Sequence, residues 1–127
     1  MRDQNRVLIV DDNAAARGAL VQILAMEGYQ VAEASDGLSA LDRVTEFRPE
    51  VVLCDLHMPR MDGLTFIARA RKLGAAFRLV IMTATHDGGD VAAAIGSEYL
   101  AKPIDVASLL RVVKETLEAP ACAPGVA

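Results

Sequence analysis

Three short, unbroken runs of branched apolar residues, each closed by a carboxylate or a hydroxyl, constrain this chain more than any other feature. They are Val7-Leu8-Ile9-Val10 before Asp11-Asp12, Val51-Val52-Leu53-Cys54 before Asp55, and Leu79-Val80-Ile81-Met82 before Thr83. A half-exposed strand alternates apolar and polar residues, whereas an unbroken run suits a strand buried on both faces, as in a parallel sheet. Residues 29–34 and 98–101 are weaker strand candidates. Helix-period segments lie between the runs. Ala16, Leu20, Ile23 and Leu24 form a stripe ended by Gly28 as a C-cap, Leu38, Leu41 and Val44 mark a second helix, and Leu64, Ile67 and Ala68 mark a third after Gly63. The last helix carries Val106, Leu109, Leu110, Val113 and Leu117 behind Asp105 as its N-cap. Strand and helix therefore alternate, which predicts an α/β fold. The expected form is a doubly wound, five-stranded parallel (βα)5 sheet, flavodoxin-like, with strand order 2-1-3-4-5.

The chain has 127 residues, enough for one core and too few for two ordinary domains. Its net charge of −4 argues against non-specific binding to nucleic acid. No apolar stretch approaches the roughly 20 residues that span a bilayer, and the N-terminus does not read as a signal peptide. Cys54 and Cys122 make no disulfide framework and lack metal-ligand spacing. The expectation is a cytoplasmic domain over residues 1–118, with residues 119–127 as a flexible tail or the start of a linker.

In an open parallel sheet, ligands bind beyond the carboxyl ends of the strands. There this chain places Asp11, Asp12, Asp55, Thr83 and, after the fifth strand, Lys102. Three carboxylates in one small site repel one another unless a cation intervenes, and Mg²⁺ suits one or two carboxylates completed by waters and phosphate oxygens. Lys102 can neutralise an incoming phosphoryl group and Thr83 can donate a hydroxyl to it. The set fits phosphoryl transfer onto a carboxylate, where positioning and charge neutralisation do most of the catalysis.

The same segments carry a resemblance. Val7-Leu8-Ile9-Val10-Asp11-Asp12-Asn13, Ala34-Ser35-Asp36-Gly37 with Ala40-Leu41, the stretch from Asp55 through His57, Pro59 and Asp62 to Gly63, Met82-Thr83-Ala84, and Tyr99-Leu100-Ala101-Lys102-Pro103 together resemble a response-regulator receiver domain of two-component signalling. The resemblance covers about residues 5–118. It implies that Asp55 accepts a phosphoryl group from a sensor histidine kinase or phosphotransfer protein. Asp12, Asp55 and the backbone carbonyl of His57 would bind Mg²⁺, with Asp11 acting through water. Lys102 would pair with the phosphoryl oxygens, Lys102-Pro103 would be a cis peptide, and Thr83 with Tyr99 would be the switch pair that signals to an effector or output domain. Homodimerisation stays open, and neither nucleic acid nor membrane is an expected direct partner.

Each residue also has a plainer reading. Asp11 or Asp12 could cap the first helix, Lys102 could be an exposed charge, Thr83 a turn residue, and Tyr99 a static core aromatic. The His57 imidazole could also be read as a metal ligand, but no second His or Cys has ligand spacing nearby, which favours the reading in which only its carbonyl matters. His86 reads as an exposed loop residue, and Met58 and Met61 as loop packing. Two departures from the family stand out. The segment from Thr83 to Lys102 is short and glycine-rich, and glycine disfavours helix by about 1 kcal/mol relative to alanine. The fourth helix is therefore expected to be shortened to about residues 90–95, or irregular. His57 and Thr85, which flank the expected phosphoryl group, are poorly suited to orienting an attacking water, so slow dephosphorylation is expected.

Competing functions fare worse. An FMN binder needs a neutral phosphate loop after the first strand, where this chain has Asp11-Asp12. An aspartate-nucleophile phosphatase wants a second acid where His57 stands. A receiver-like interaction module that works without phosphorylation is the remaining alternative.

Overall fold

The computed structural model describes residues 5–56, 63–83, 97–102 and 104–118. Five strands, β1 (Arg6–Val10), β2 (Gln30–Ala34), β3 (Val51–Asp55), β4 (Arg78–Thr83) and β5 (Glu98–Ala101), form one parallel sheet in the order β2-β1-β3-β4-β5. Four helices are seen among the described residues: α1 (Ala14–Met26), α2 (Gly37–Phe47), α3 (Gly63–Lys72) and α4 (Val106–Glu118). The helix expected at residues 90–95, the loop residues His57, Met58, Met61, Thr85 and His86, Pro103, and the tail at 119–127 lie outside the described residues.

The unbroken runs are apolar throughout because their alternate side chains enter different cores. Leu8, Val10, Val52, Cys54, Leu79 and Ile81 pack with Ala40 and Val44 of α2 and Phe66, Ile67 and Ala70 of α3. Their neighbours Val7, Ile9, Val51, Leu53, Val80 and Met82 pack with Leu20 and Leu24 of α1 and Leu109, Val112 and Val113 of α4. The sheet is thus covered on both faces, as parallel sheets require. The edge strand β2 is shielded less completely, and only Ala34 of its five residues is buried.

Three of the four helical stripes are rotated from their expected positions. In α3 the buried face is Gly63, Phe66, Ile67 and Ala70, while Leu64 is exposed. In α2, Ala40 and Val44 lead and Leu38 points outward; in α4, Val112 and Thr116 join the face and Val106 leaves it. Large apolar residues near a helix start can stay wet when the next turn already meets the sheet.

Helix ends follow local chemistry. Gly28 sits in the left-handed region (φ +96°), and the bonds Gly28 N–H to Ala25 O (3.0 Å) and Tyr29 N–H to Leu24 O (3.1 Å) close a Schellman turn that feeds β2. At the start of α4, the Asp105 carboxylate accepts the backbone N–H and the hydroxyl of Ser108, each at 2.9 Å. The backbone bond from Ser108, followed by the hydroxyl bond, holds the Asp105 carboxyl below the usual aspartate range. Burial opposes that shift, and Arg111 assists it weakly.

Candidate functional site

The order β2-β1-β3 reverses the direction of winding between β1 and β3, the point at which open parallel sheets bind ligands beyond the carboxyl ends of their strands. Asp55 is the last residue of β3 and Asp11 follows directly on β1. Both are buried, whereas Asp12 is exposed. One carboxylate oxygen from each of the three lies within 4.8 Å of the others. First-helix capping does not account for either neighbouring acid. Asn13 is the N-cap of α1, its side chain accepting from Ala16 N at 3.0 Å, so neither Asp11 nor Asp12 is spent on that cap.

Lys102 reaches this cluster from just beyond β5. Its backbone N–H donates to Thr83 O (3.1 Å), which keeps it in register with the end of β4. Its Nζ donates to Asp55 Oδ2 at 2.9 Å and to Asp11 Oδ2 at 3.0 Å. Partial burial, the largest influence, would lower the ammonium pKa. The hydrogen bonds to Asp55 and Asp11, reinforced by their charges, more than offset it, and Lys102 sits above the ordinary lysine value. The Lys102 side chain is only partly exposed, its ammonium turned onto these two carboxylates.

Thr83 is fully buried at the end of β4, one residue past Met82, the ladder partner of Asp55. Tyr99 is half-buried and packs against the core on the α2 and α3 face. The structure thus brings Asp11, Asp12, Asp55 and Lys102 into one cluster, with Thr83 on the neighbouring strand end. His57 and Pro103 fall outside the described residues.

The donor set fits a hard divalent cation. Among the described residues, three carboxylates face one ammonium, an excess of two formal negative charges, and Asp12 is the exposed member of the set. An all-oxygen set with an open side is what Mg²⁺ uses when it keeps several waters.

Two contributors have roles that the sequence reading did not assign. Arg17 of α1 donates from Nη1 to Asp11 O at 2.8 Å and from Nε to Glu33 Oε1 at 2.7 Å. Gly63 opens α3 directly beneath the site. A Cβ there would stand 2.6 Å from Asp55 O, 3.0 Å from Leu56 Cα and 3.3 Å from Cys54 Sγ. Two of those three atoms are backbone and cannot swing aside. Gly63→Ala is therefore expected to push α3 off the end of β3 and to cost about 1–3 kcal/mol, the usual range for overpacking. Urea unfolding measures this, and an unchanged midpoint would show that the contact yields freely.

The family model described as "Response regulator receiver domain" matches residues 7–114. Sporulation initiation phosphotransferase F of Bacillus subtilis is 36% identical over 115 residues, which are 88% of this chain and 93% of that protein. Response regulator MprA of Mycobacterium sp. (strain KMS) is 35% identical over 115 residues, but the chain spans only 50% of its length. Among solved structures, a response regulator receiver domain protein (CheY-like) from Methanospirillum hungatei superposes with a TM-score of 0.82 at 28% identity, covering 91% of this chain and 95% of that one. No helix among the described residues is long and apolar enough to cross a membrane.

Proposed function

This chain belongs to the response regulator receiver domain family, and on that footing we propose that it accepts a phosphoryl group on the carboxylate of Asp55 in a Mg²⁺-dependent reaction and then changes conformation to control a partner. The observation that carries the reading is the Lys102 ammonium shared between Asp55 and Asp11, beside an exposed Asp12. A carboxylate held at a strand end beside two other carboxylates and an ammonium is well placed to act as the nucleophile.

In the proposed reaction, an Asp55 oxygen attacks phosphorus in line, a P–O bond forms, and the bond to the donor breaks. The donor is a phosphohistidine of a sensor histidine kinase or of a phosphotransfer protein, and its imidazole leaves. Asp12, Asp55 and the His57 carbonyl would hold Mg²⁺, with Asp11 acting through water, and the ion supplies charge neutralisation to the phosphoryl oxygens. Lys102 exchanges its bond to Asp55 for one to a phosphoryl oxygen. Thr83 donates its hydroxyl to another, and Tyr99 repacks in response. The phosphate acts as a switch only through contacts that differ between the two conformations.

We assign the receiver to residues 1–118, in the cytoplasm. The first relative is named as a phosphotransferase, while MprA is about twice as long as the matched region. A relay to another protein and control of an output domain are both served by this site. Incubation with acetyl phosphate, read by intact mass, tests the proposal. One phosphoryl adduct is expected with Mg²⁺ and none in EDTA. No adduct from any small phosphodonor would leave the phosphorylation-independent interaction module in its place.

A further inference from the structure

Arg17 is the only charged residue of α1, and its side chain is just 17% exposed. A guanidinium goes under in this way only when its donors are placed. One donor meets Glu33 on the edge strand β2, whose own backbone carbonyl accepts from Arg43 Nε of α2 at 3.3 Å. The other meets the carbonyl of Asp11. Every polar group of Asp11 is thereby held: its N–H by Ala34 O (3.1 Å), its carbonyl by Arg17, Oδ1 by Asn13 N (2.9 Å) and Oδ2 by Lys102.

Asp12 is different. Its carboxylate is exposed and makes no hydrogen bond or ion pair among the described residues, so its aim comes from its backbone. The peptide from Asp11 to Asp12 is planar, and gripping its carbonyl fixes where the Asp12 Cα stands. We propose that Arg17 is a positioning residue for the acidic site, holding the Asp11–Asp12 peptide so that the Asp12 carboxylate stays directed at the divalent cation. This rests on the metal-binding part of the function proposed above. Glu33 completes the device. Its carboxylate offsets the guanidinium charge beside the acidic site through the 2.7 Å bond to Arg17 Nε.

A mere staple between α1 and the sheet edge would affect stability alone, whereas a positioning residue affects the metal. The test is the dissociation constant for Mg²⁺ alone, by calorimetry on the full chain, beside the urea midpoint. Arg17→Met is expected to weaken Mg²⁺ about 10–100-fold, the usual effect of removing a partner that orients a ligand. Arg17→Lys keeps the charge but cannot make both bonds of the fork, and about a 10-fold loss is expected. Arg43→Ala touches Glu33 but not Asp11, and its affinity should stay within about two-fold of wild type.

If Arg17→Met fails to fold, Arg17→Lys decides. Lowered stability with an affinity within about two-fold of wild type overturns the proposal, and so does a wild type that binds no Mg²⁺. A wild type that binds Mg²⁺ in an Arg17-dependent way, yet takes nothing from acetyl phosphate, would sink the phosphoacceptor reading and leave this inference standing.

Discussion

Asp55→Asn is expected to take up no phosphoryl group from acetyl phosphate while remaining folded. Asparagine has nearly the same shape and keeps an oxygen that can accept from Lys102, so the end of β3 has no reason to move. What it lacks is an anionic oxygen to attack phosphorus, and a neutral amide is no substitute. Two electrostatic effects on stability oppose each other. The variant loses the charge-assisted bond to Lys102 at 2.9 Å but escapes the repulsion of Asp11 and Asp12, whose oxygens lie within 4.8 Å. Interactions at such distances are individually worth a few kcal/mol at an effective dielectric of about 20, so attraction and repulsion are comparable in size. The melting temperature is accordingly expected within about 5 °C of wild type. Intact mass and a thermal melt check both halves. An adduct that survives the substitution would place the acceptor elsewhere in the acidic cluster, and a variant that does not fold would refute the compensation.

The sheet was legible because its central strands carry their burial in their composition. A run such as Val51-Val52-Leu53-Cys54 has one interpretation when both of its faces are covered, and all five residues of β3 are buried. β2 was harder to read. As an edge strand with mixed exposure, its Gln30-Val31-Ala32-Glu33-Ala34 needs no apolar run. Helical stripes were legible as helices but less so in phase. Leu64 and Leu38 are large and apolar yet face water, while Gly63 and Ala40 face the core, because closeness to the sheet there is set by small side chains.

For the site, Asp11, Asp12, Asp55, Thr83 and Lys102 could be read because strand order brings strand ends together whatever the loops do. The supports could not. Arg17 acts through a backbone carbonyl, and Gly63 acts through the room its missing side chain leaves. Gly63 could be seen as a glycine before a helix but not as the spacer under Asp55, and Arg17 leaves no trace in the apolar period. The nearest signal was that Arg17 is the lone charge in an otherwise uncharged helix, which asks where that charge is neutralised.

Lys102→Met is expected to separate the stability of the site from its chemistry. Removing the ammonium leaves Asp11, fully buried, facing Asp55 without the ammonium that bridges them. Breaking a buried pair from one side typically costs about 3–5 kcal/mol, because the stranded charge keeps its desolvation penalty and loses its partner. The pH dependence has a definite sign. The Lys102 pKa is raised above its ordinary 10.5, so its contribution is complete below that pH and is lost as pH rises through the higher folded value. The gap between wild type and variant in urea should therefore be flat through neutral pH and close only in strong alkali. Mg²⁺ should narrow it at neutral pH. A divalent cation relieves the two carboxylates in the lysine's place, and because both proteins gain from binding, the gap closes by the difference in affinity, about 1.4 kcal/mol for each tenfold by which the variant binds more tightly. The variant is then expected to bind Mg²⁺ more tightly than wild type and still to form little or no adduct with acetyl phosphate, since nothing replaces Lys102 at the third phosphoryl oxygen. Equal stability of the two proteins in EDTA would show that the Lys102 bridge carries no net stabilisation. Full adduct formation in the variant would show that the cation alone suffices for transfer.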